Sequence, residues 1–122
     1  VEIIGENAFE SCLNLINVKI PNSVSIIEGG AFEECSSLTT LTIPQNVSKI
    51  GTFAFNKCTG LKSITFEDTE TWYKTLDYIS YTKGEIIDVS NPKENANILP
   101  KLYDVFELEG VEYPIPYCLY KE

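Results

Sequence analysis

Apolar residues in the first half of the chain keep a fixed beat. Leu15-x-x-Val18-x-Ile20, Leu38-x-x-Leu41-x-Ile43 and Leu61-x-x-Ile64-x-Phe66 each close on two apolar positions spaced two apart, with a polar residue between them. That is the period of a short strand with one buried face, and it predicts strands near 16–20, 39–43 and 62–66. A second string precedes each of them. It reads Ile4-Gly5-Glu6-Asn7-Ala8-Phe9-Glu10-Ser11-Cys12, then Ile27-Glu28-Gly29-Gly30-Ala31-Phe32-Glu33-Glu34-Cys35, then Ile50-Gly51-Thr52-Phe53-Ala54-Phe55-Asn56-Lys57-Cys58. Everything falls in step at an offset of 23 residues, including Val24 with Val47 and Pro21 with Pro44.

Strands that recur in the same sense must lie parallel, so each Ala-Phe-x-x-Cys string reads as a return segment with room for about one helical turn and its bends. One copy cannot bury its own apolar positions. Stacked at about 4.8 Å per coil, the copies set Phe9, Phe32 and Phe55, and likewise the three cysteines, over one another in a continuous core. Pro21 and Pro44 follow their strands directly, where a missing N–H ends the ladder. The pattern Ile-Gly-x-x-Ala-Phe-x-x-Cys-x-x-Leu-x-x-(Val/Leu/Ile)-x-Ile-Pro resembles the 23-residue leucine-rich repeats of the BspA-like (treponemal-type) class, found in surface proteins of bacteria and some protists. Residues 1–66 carry it in three copies, the first preceded by the end of an upstream repeat, with Glu28 for the usual Gly and Glu67 where a third Pro would fall. The resemblance implies a right-handed leucine-rich repeat solenoid with short parallel strands. It also implies a place at the cell surface or outside the cell, and adhesion to a protein or glycan, host or extracellular-matrix molecules included.

After Phe66 the beat decays. Trp72-Tyr73 falls where Lys49-Ile50 stood, so a fourth coil begins and is not completed. Residues 1–66 hold 6 acids and 4 lysines, whereas 67–122 hold 12 acids and 5 lysines, the only Trp and all seven Tyr. A solenoid end exposes an apolar cross-section and needs a cover, so 67–122 reads as a C-terminal α/β cap. Within it Trp72, Tyr73 and Leu76 begin a short helix over the last coil. Glu85–Val89 forms a strand that extends the parallel sheet. Asn91 caps a helix with Pro92 at its first position and Glu94 returning a hydrogen bond, ending by Leu99 before Pro100. Gly110 turns a hairpin between two partly alternating runs. The segment Asp88-Val89-Ser90-Asn91-Pro92 also resembles the closing segment of many BspA-like arrays.

Composition removes several kinds of chemistry. The 122 residues carry a net charge of −9 and include no Arg, His or Met. Without His there is no imidazole base, and without Arg no bidentate fork for phosphate; excess acid repels nucleic acid and anionic lipid. No stretch approaches the length of a membrane span, and Val1 is not expected to be a natural start. Cys12, Cys35 and Cys58 are spaced too widely for a zinc site, and their side chains point the same way rather than at each other, so they read as a reduced core ladder. Cys118 lies outside the repeat and is the thiol expected to be reactive at the surface. Glu6, Glu10, Glu28, Glu33 and Glu34 read as a solvated face rather than a glycosidase pair, and Glu67, Asp68 and Glu70 lack the spacing of a calcium loop. Gly29-Gly30 relieves the backbone at a corner, and Asn46-Val47-Ser48 fits a glycosylation sequon.

The candidate ligand-binding residues are therefore the outward positions of the strands: Asn17 and Lys19, Thr40 and Thr42, Ser63 and Thr65, with Ile16, Thr39 and Lys62 at the strand entry. Stacked strands gather them into a grid on one sheet face, the usual recognition surface of curved repeat proteins. The expected role is a non-enzymatic interaction module that needs no cofactor and no metal. The alternatives are a spacer or stalk presenting a neighbouring domain and, more remotely, a carboxylate-dependent hydrolase.

Overall fold

The computed structural model describes residues 2–75 and 84–121. In chain order it contains β1 (Glu2–Ile4), β2 (Val24–Ile27), β3 (Thr40–Ile43), β4 (Lys49–Ile50), β5 (Ser63–Phe66), β6 (Trp72–Thr75), β7 (Glu85–Ile87), α1 (Pro92–Ile98) with a 3-10 turn at Leu99–Lys101, β8 (Tyr103–Leu108), β9 (Val111–Pro116) and β10 (Cys118–Lys121). β3 and β5 pair in parallel and in the expected register, Leu41 with Ile64 and Ile43 with Phe66, all four buried. The first expected strand does not form. Residues 16–20 join their neighbour through a bond from Thr39 N–H to the Ile16 carbonyl (3.2 Å), and Leu15 and Val18 are only partly buried.

Each coil makes a second strand that the alternation did not reveal. β1, β2 and β4 lie side by side in parallel, with Ile4 opposite Ile27 and Ile27 opposite Ile50. Val24-Ser25-Ile26-Ile27 ends in two adjacent apolar residues, so its period was hidden. The return segments, in turn, contain no helical turn. Alternate N–H groups close tight turns (Ala8 to Gly5, Glu10 to Asn7, Cys12 to Phe9), while those between them donate to the next coil: Asn7 to Gly29 at 3.1 Å, Phe9 to Ala31 at 2.8 Å and Ser11 to Glu33 at 2.8 Å. The second coil repeats this toward Thr52, Ala54 and Asn56. Donors divided between turn and stack are not available for the i to i−4 bonds of a helix. Tight turns of this kind use positive φ, at 64° for Gly30, where a Cβ would collide with Asn7 Oδ1. At Gly51 a Cβ would run into the backbone of Glu28 and Gly29, so this glycine sets how closely the coils approach.

Along the axis Phe9 stacks on Phe32 (centroids 5.2 Å, planes 8° apart) and Phe32 on Phe55 (5.8 Å, 10°). The cysteines follow the same ladder. Cys35 Sγ–H donates to the Phe9 carbonyl and Cys58 Sγ–H to the Phe32 carbonyl, each at 3.0 Å.

The C-terminal part closes this stack differently from expectation. Trp72 and Tyr73 lie in β6, a strand and not a helix, and Leu76 lies outside the described residues. β10 inserts antiparallel between β4 and β6, giving one sheet in the order β1-β2-β4-β10-β6-β7. An antiparallel neighbour on each side gives the aromatic run a complete ladder, which a strand uses and a helix cannot. β7 extends the sheet, but antiparallel to β6 and not in parallel. Trp72, 1% exposed, meets Phe66 edge-on at 5.2 Å. The Asn91 cap forms, its Oδ1 accepting from Lys93 N–H (3.0 Å) and Glu94 N–H (3.2 Å); among the described residues the expected return bond from Glu94 is not made. From α1 the amide of buried Asn95 donates to the carbonyls of Ile64 (2.8 Å) and Val89 (2.7 Å), latching the helix onto β5. The Gly110 hairpin forms as β8 and β9, with Glu109 and Gly110 at φ 52° and 78° in its turn.

Candidate exposed sheet face

β3 and β5 alternate strictly: Leu41, Ile43, Ile64 and Phe66 point into the core while Thr40, Thr42 and Thr65 are exposed and Ser63 half-buried. The parallel register puts Thr40 beside Ser63 and Thr42 beside Thr65. Adjacent strands are about 4.8 Å apart, so the hydroxyls form two short rows on a surface whose facing backbone edges are paired between the two strands. Asn17 and Lys19 are exposed on the neighbouring first-coil segment, and Ile16, Thr39 and Lys62 flank the strand entries. Four of the six proposed residues thus share a hydrogen-bonded sheet, while Asn17 and Lys19 adjoin it from an irregular segment.

Leu13 was not among the sequence-based candidates, yet it is 57% exposed beside Ile16 at 58%. Comparing the copies would have marked it, because the equivalent positions are Ser36 and Thr59. Chemically the face is uniform. The stretches 13–20, 36–43 and 59–66 contain two lysines and no Asp or Glu. It offers hydroxyls, amide groups and apolar patches for complementarity, and no paired acid and base.

Other potential sites are tied into the structure. Glu33 accepts from Asn56 Nδ2 at 3.0 Å, and Glu34 accepts from Ser11 Oγ at 3.3 Å and pairs with Lys57 at 3.6 Å, so these carboxylates lace one coil to the next. Asp68 accepts a bond from Glu70 N–H and meets Lys121 at 2.6 Å; the lysine holds its carboxyl below the usual range. Among the described residues no group of three or more His, Cys, Asp or Glu side chains is gathered around a cation position. Asn46 is exposed, with its Nδ2 donating to the Asn22 carbonyl at 2.8 Å.

All four cysteines are thiols. Burial pushes Cys35 up, and Cys58 from 9.0 up to about 12, so neither supplies a thiolate near neutral pH. Cys118 is 2% exposed, with its Sγ 3.5 Å from the Thr75 carbonyl, so the expectation of a reactive surface thiol is corrected. Burying it is a consequence of β10 lying inside the sheet. Cys12, at the first coil, is the partly accessible thiol of the four. A groove of about 460 Å³ runs between the third return segment and α1, lined by Lys57, Cys58, Asn97, Lys101 and Tyr103 among others. Its lining holds no carboxylate, and its thiol is protonated. No helix among the described residues is long and apolar enough to cross a membrane.

No curated protein and no solved structure matches this chain. A family model does: the BspA type leucine-rich repeat region, in six copies across residues 1–114. With the 23-residue ladder of return segments and the phenylalanine stack already in place, that match covers nearly the whole chain, and the protein belongs to the BspA type leucine-rich repeat family.

Proposed function

We propose that this chain is a non-enzymatic interaction module of a cell-surface or secreted protein, binding a protein or glycan through the exposed face of β3 and β5. The finer architecture that goes with this reading is a right-handed solenoid of three coils over 1–66, with 67–122 acting as its cap. One observation carries the proposal: an acid-free grid of hydroxyl and amide side chains on a paired, rigid sheet within a chain of net charge −9. Many modest polar contacts on a preformed surface lose little entropy on binding, which suits recognition better than it suits turnover. Family membership supports a binding role and a surface location.

The test replaces Lys19, Thr40, Thr42 and Thr65 together by Ala and probes arrayed glycans and immobilised extracellular-matrix proteins. Retention by the parent chain and at least about tenfold weaker retention by the variant are expected. Equal retention of both would move the site off this face. No retention of either would favour the spacer reading.

A further inference from the structure

The third return segment differs from the second where it meets the cap. Asn56-Lys57 stands where the second coil has Glu33-Glu34, so an amide and a cation replace two acids at the coil that borders α1. Part of this change serves the stack, since Asn56 Nδ2 donates to Glu33 at 3.0 Å and Lys57 meets Glu34 at 3.6 Å. The lysine pair is loose, with side chains 67% and 42% exposed. Coverage also stops short here. Leu61 is half-buried, whereas its second-coil counterpart Leu38 is fully buried.

The groove left between that segment and α1 measures about 460 Å³, within the roughly 300–1,000 Å³ of small-molecule sites. Leu61 lines it together with buried Ala96 and Pro100, an apolar patch a few atoms across. Around this patch stand Lys57, Thr59, Asn97, Lys101 and Tyr103, and among the described residues no acid joins them. Within the described residues the side chains of Thr59, Asn97 and Lys101 and the hydroxyl of Tyr103 have no hydrogen-bond or ion-pair partner. Their bonding capacity is unspent. Both walls are nonetheless fixed: the Asn56 carbonyl accepts from Glu34 N–H at 2.8 Å, Asn95 latches α1, and the Tyr103 ring leans on Phe53 with centroids 6.2 Å apart. A preformed site loses little entropy on binding.

Two lysines in an acid-free groove favour an anion, against the chain's net charge of −9. Phosphate is the poorer match, because each lysine is a point charge and no guanidinium fork is present. Amide and hydroxyl groups around an apolar patch suit a hydroxylated ring with an apolar face. We propose that this groove binds a carboxylated sugar residue of the uronic acid class, its carboxylate at Lys101 and Lys57, its hydroxyls at Asn97, Thr59 and Tyr103, and its ring against the apolar lining. The site shares no residue with the β3 and β5 face, so the two binding readings stand or fall separately.

An amide NMR titration of the full, isotope-labelled chain tests this with a tetrasaccharide of alternating glucuronate and N-acetylglucosamine, and with its uncharged methyl ester. Saturable shifts centred on residues 56–61 and 96–103 are expected, with the acid bound about tenfold or more tighter than the ester and more weakly as salt rises. Lys101→Ala should raise the dissociation constant about tenfold, while Lys101→Arg, which keeps the charge, should raise it about threefold or less. Lys101 is exposed, so the remaining amide spectrum of each variant should match that of the parent chain. Replacing Lys19, Thr40, Thr42 and Thr65 by Ala should leave this affinity unchanged. Equal binding of acid and ester, shifts confined to the β3 and β5 face, no saturable shift, or parental affinity in Lys101→Ala would each overturn the proposal. Acetate or inorganic phosphate reproducing the shifts at the same concentration would overturn the assignment to a sugar.

Discussion

The two ends of the coil stack carry the same motif and end in different states. At the first coil Ile4, Phe9, Cys12, Leu15 and Val18 are only partly buried, whereas their second-coil counterparts Ile27, Phe32, Cys35, Leu38 and Leu41 are 0–3% exposed. At the third coil Leu61 stays partly buried, while Ile50, Phe55, Cys58 and Ile64 are again buried, because the C-terminal segment covers them. It does so by three separate means: β10 continues the β4 ladder, Asn95 latches α1 to β5, and Trp72 seats on Phe66. Residue identity selects what is to be buried, and the presence of a neighbouring layer decides whether it is.

The largest expected effect contrasts the middle of the stack with its first coil. Phe32→Ala should cost about 4 kcal/mol, since it leaves a void between two stacked rings, and Phe9→Ala about half of that or less. Urea unfolding of both variants checks the contrast, and equal losses would break it. Next comes the latch. Asn95→Asp replaces two N–H donors by a carboxylate facing the carbonyls of Ile64 and Val89, and should cost about 3 kcal/mol in the same assay. An unchanged midpoint would show that the cap is held without it.

Alkaline titration sharpens the comparison further. The unfolded chain releases the Cys58 proton near 9.0 and the folded chain holds it to about 12. Above pH 9 the unfolded state therefore binds fewer protons. This contribution is complete below pH 9 and is lost as pH rises toward 12, at about 1.4 kcal/mol per unit. Cys58→Ala should flatten that part of the stability profile between pH 9 and pH 10. In a native thiol assay Cys12 should react before Cys35, Cys58 and Cys118, which should wait for unfolding. The smallest effect belongs to the clasp at the C-terminal strand. Lys121 reaches Asp68, and also the Gln45 carbonyl at 2.7 Å, so Lys121→Met should cost about 1 kcal/mol or less at neutral pH. Asp68 has its ionisation favoured by the lysine, so its contribution is present above 3.8 and fades as pH falls below it. The difference between parent and variant should shrink in acid.

Much of the repeat is legible in the order of residues alone. Residues kept in step every 23 positions have to meet the same neighbours in each coil, and the Phe9, Phe32 and Phe55 stack is the direct result. The grid of Thr40, Thr42, Ser63 and Thr65 is legible for the same reason, since strict alternation assigns each residue a face. Two features are not. The second strand of each coil is held by pairing to its neighbours rather than by a pattern of its own. The return segments divide their N–H groups between turn and stack, which depends on a coil lying alongside.

The amino-acid order by itself determined the repeat length, the parallel sense of the coils, the buried and exposed faces of β3 and β5, and the Asn91 and Gly110 punctuation of the tail. Those are local or periodic properties, readable from spacing and side-chain type. Only the tertiary structure decided that β10 returns to lie between β4 and β6, separating the Trp72–Thr75 strand from the parallel strands and burying Cys118. A pairing between residues near 50 and near 119 leaves no period in the sequence, because it is made once and its ladder bonds come from backbone groups that every residue type supplies.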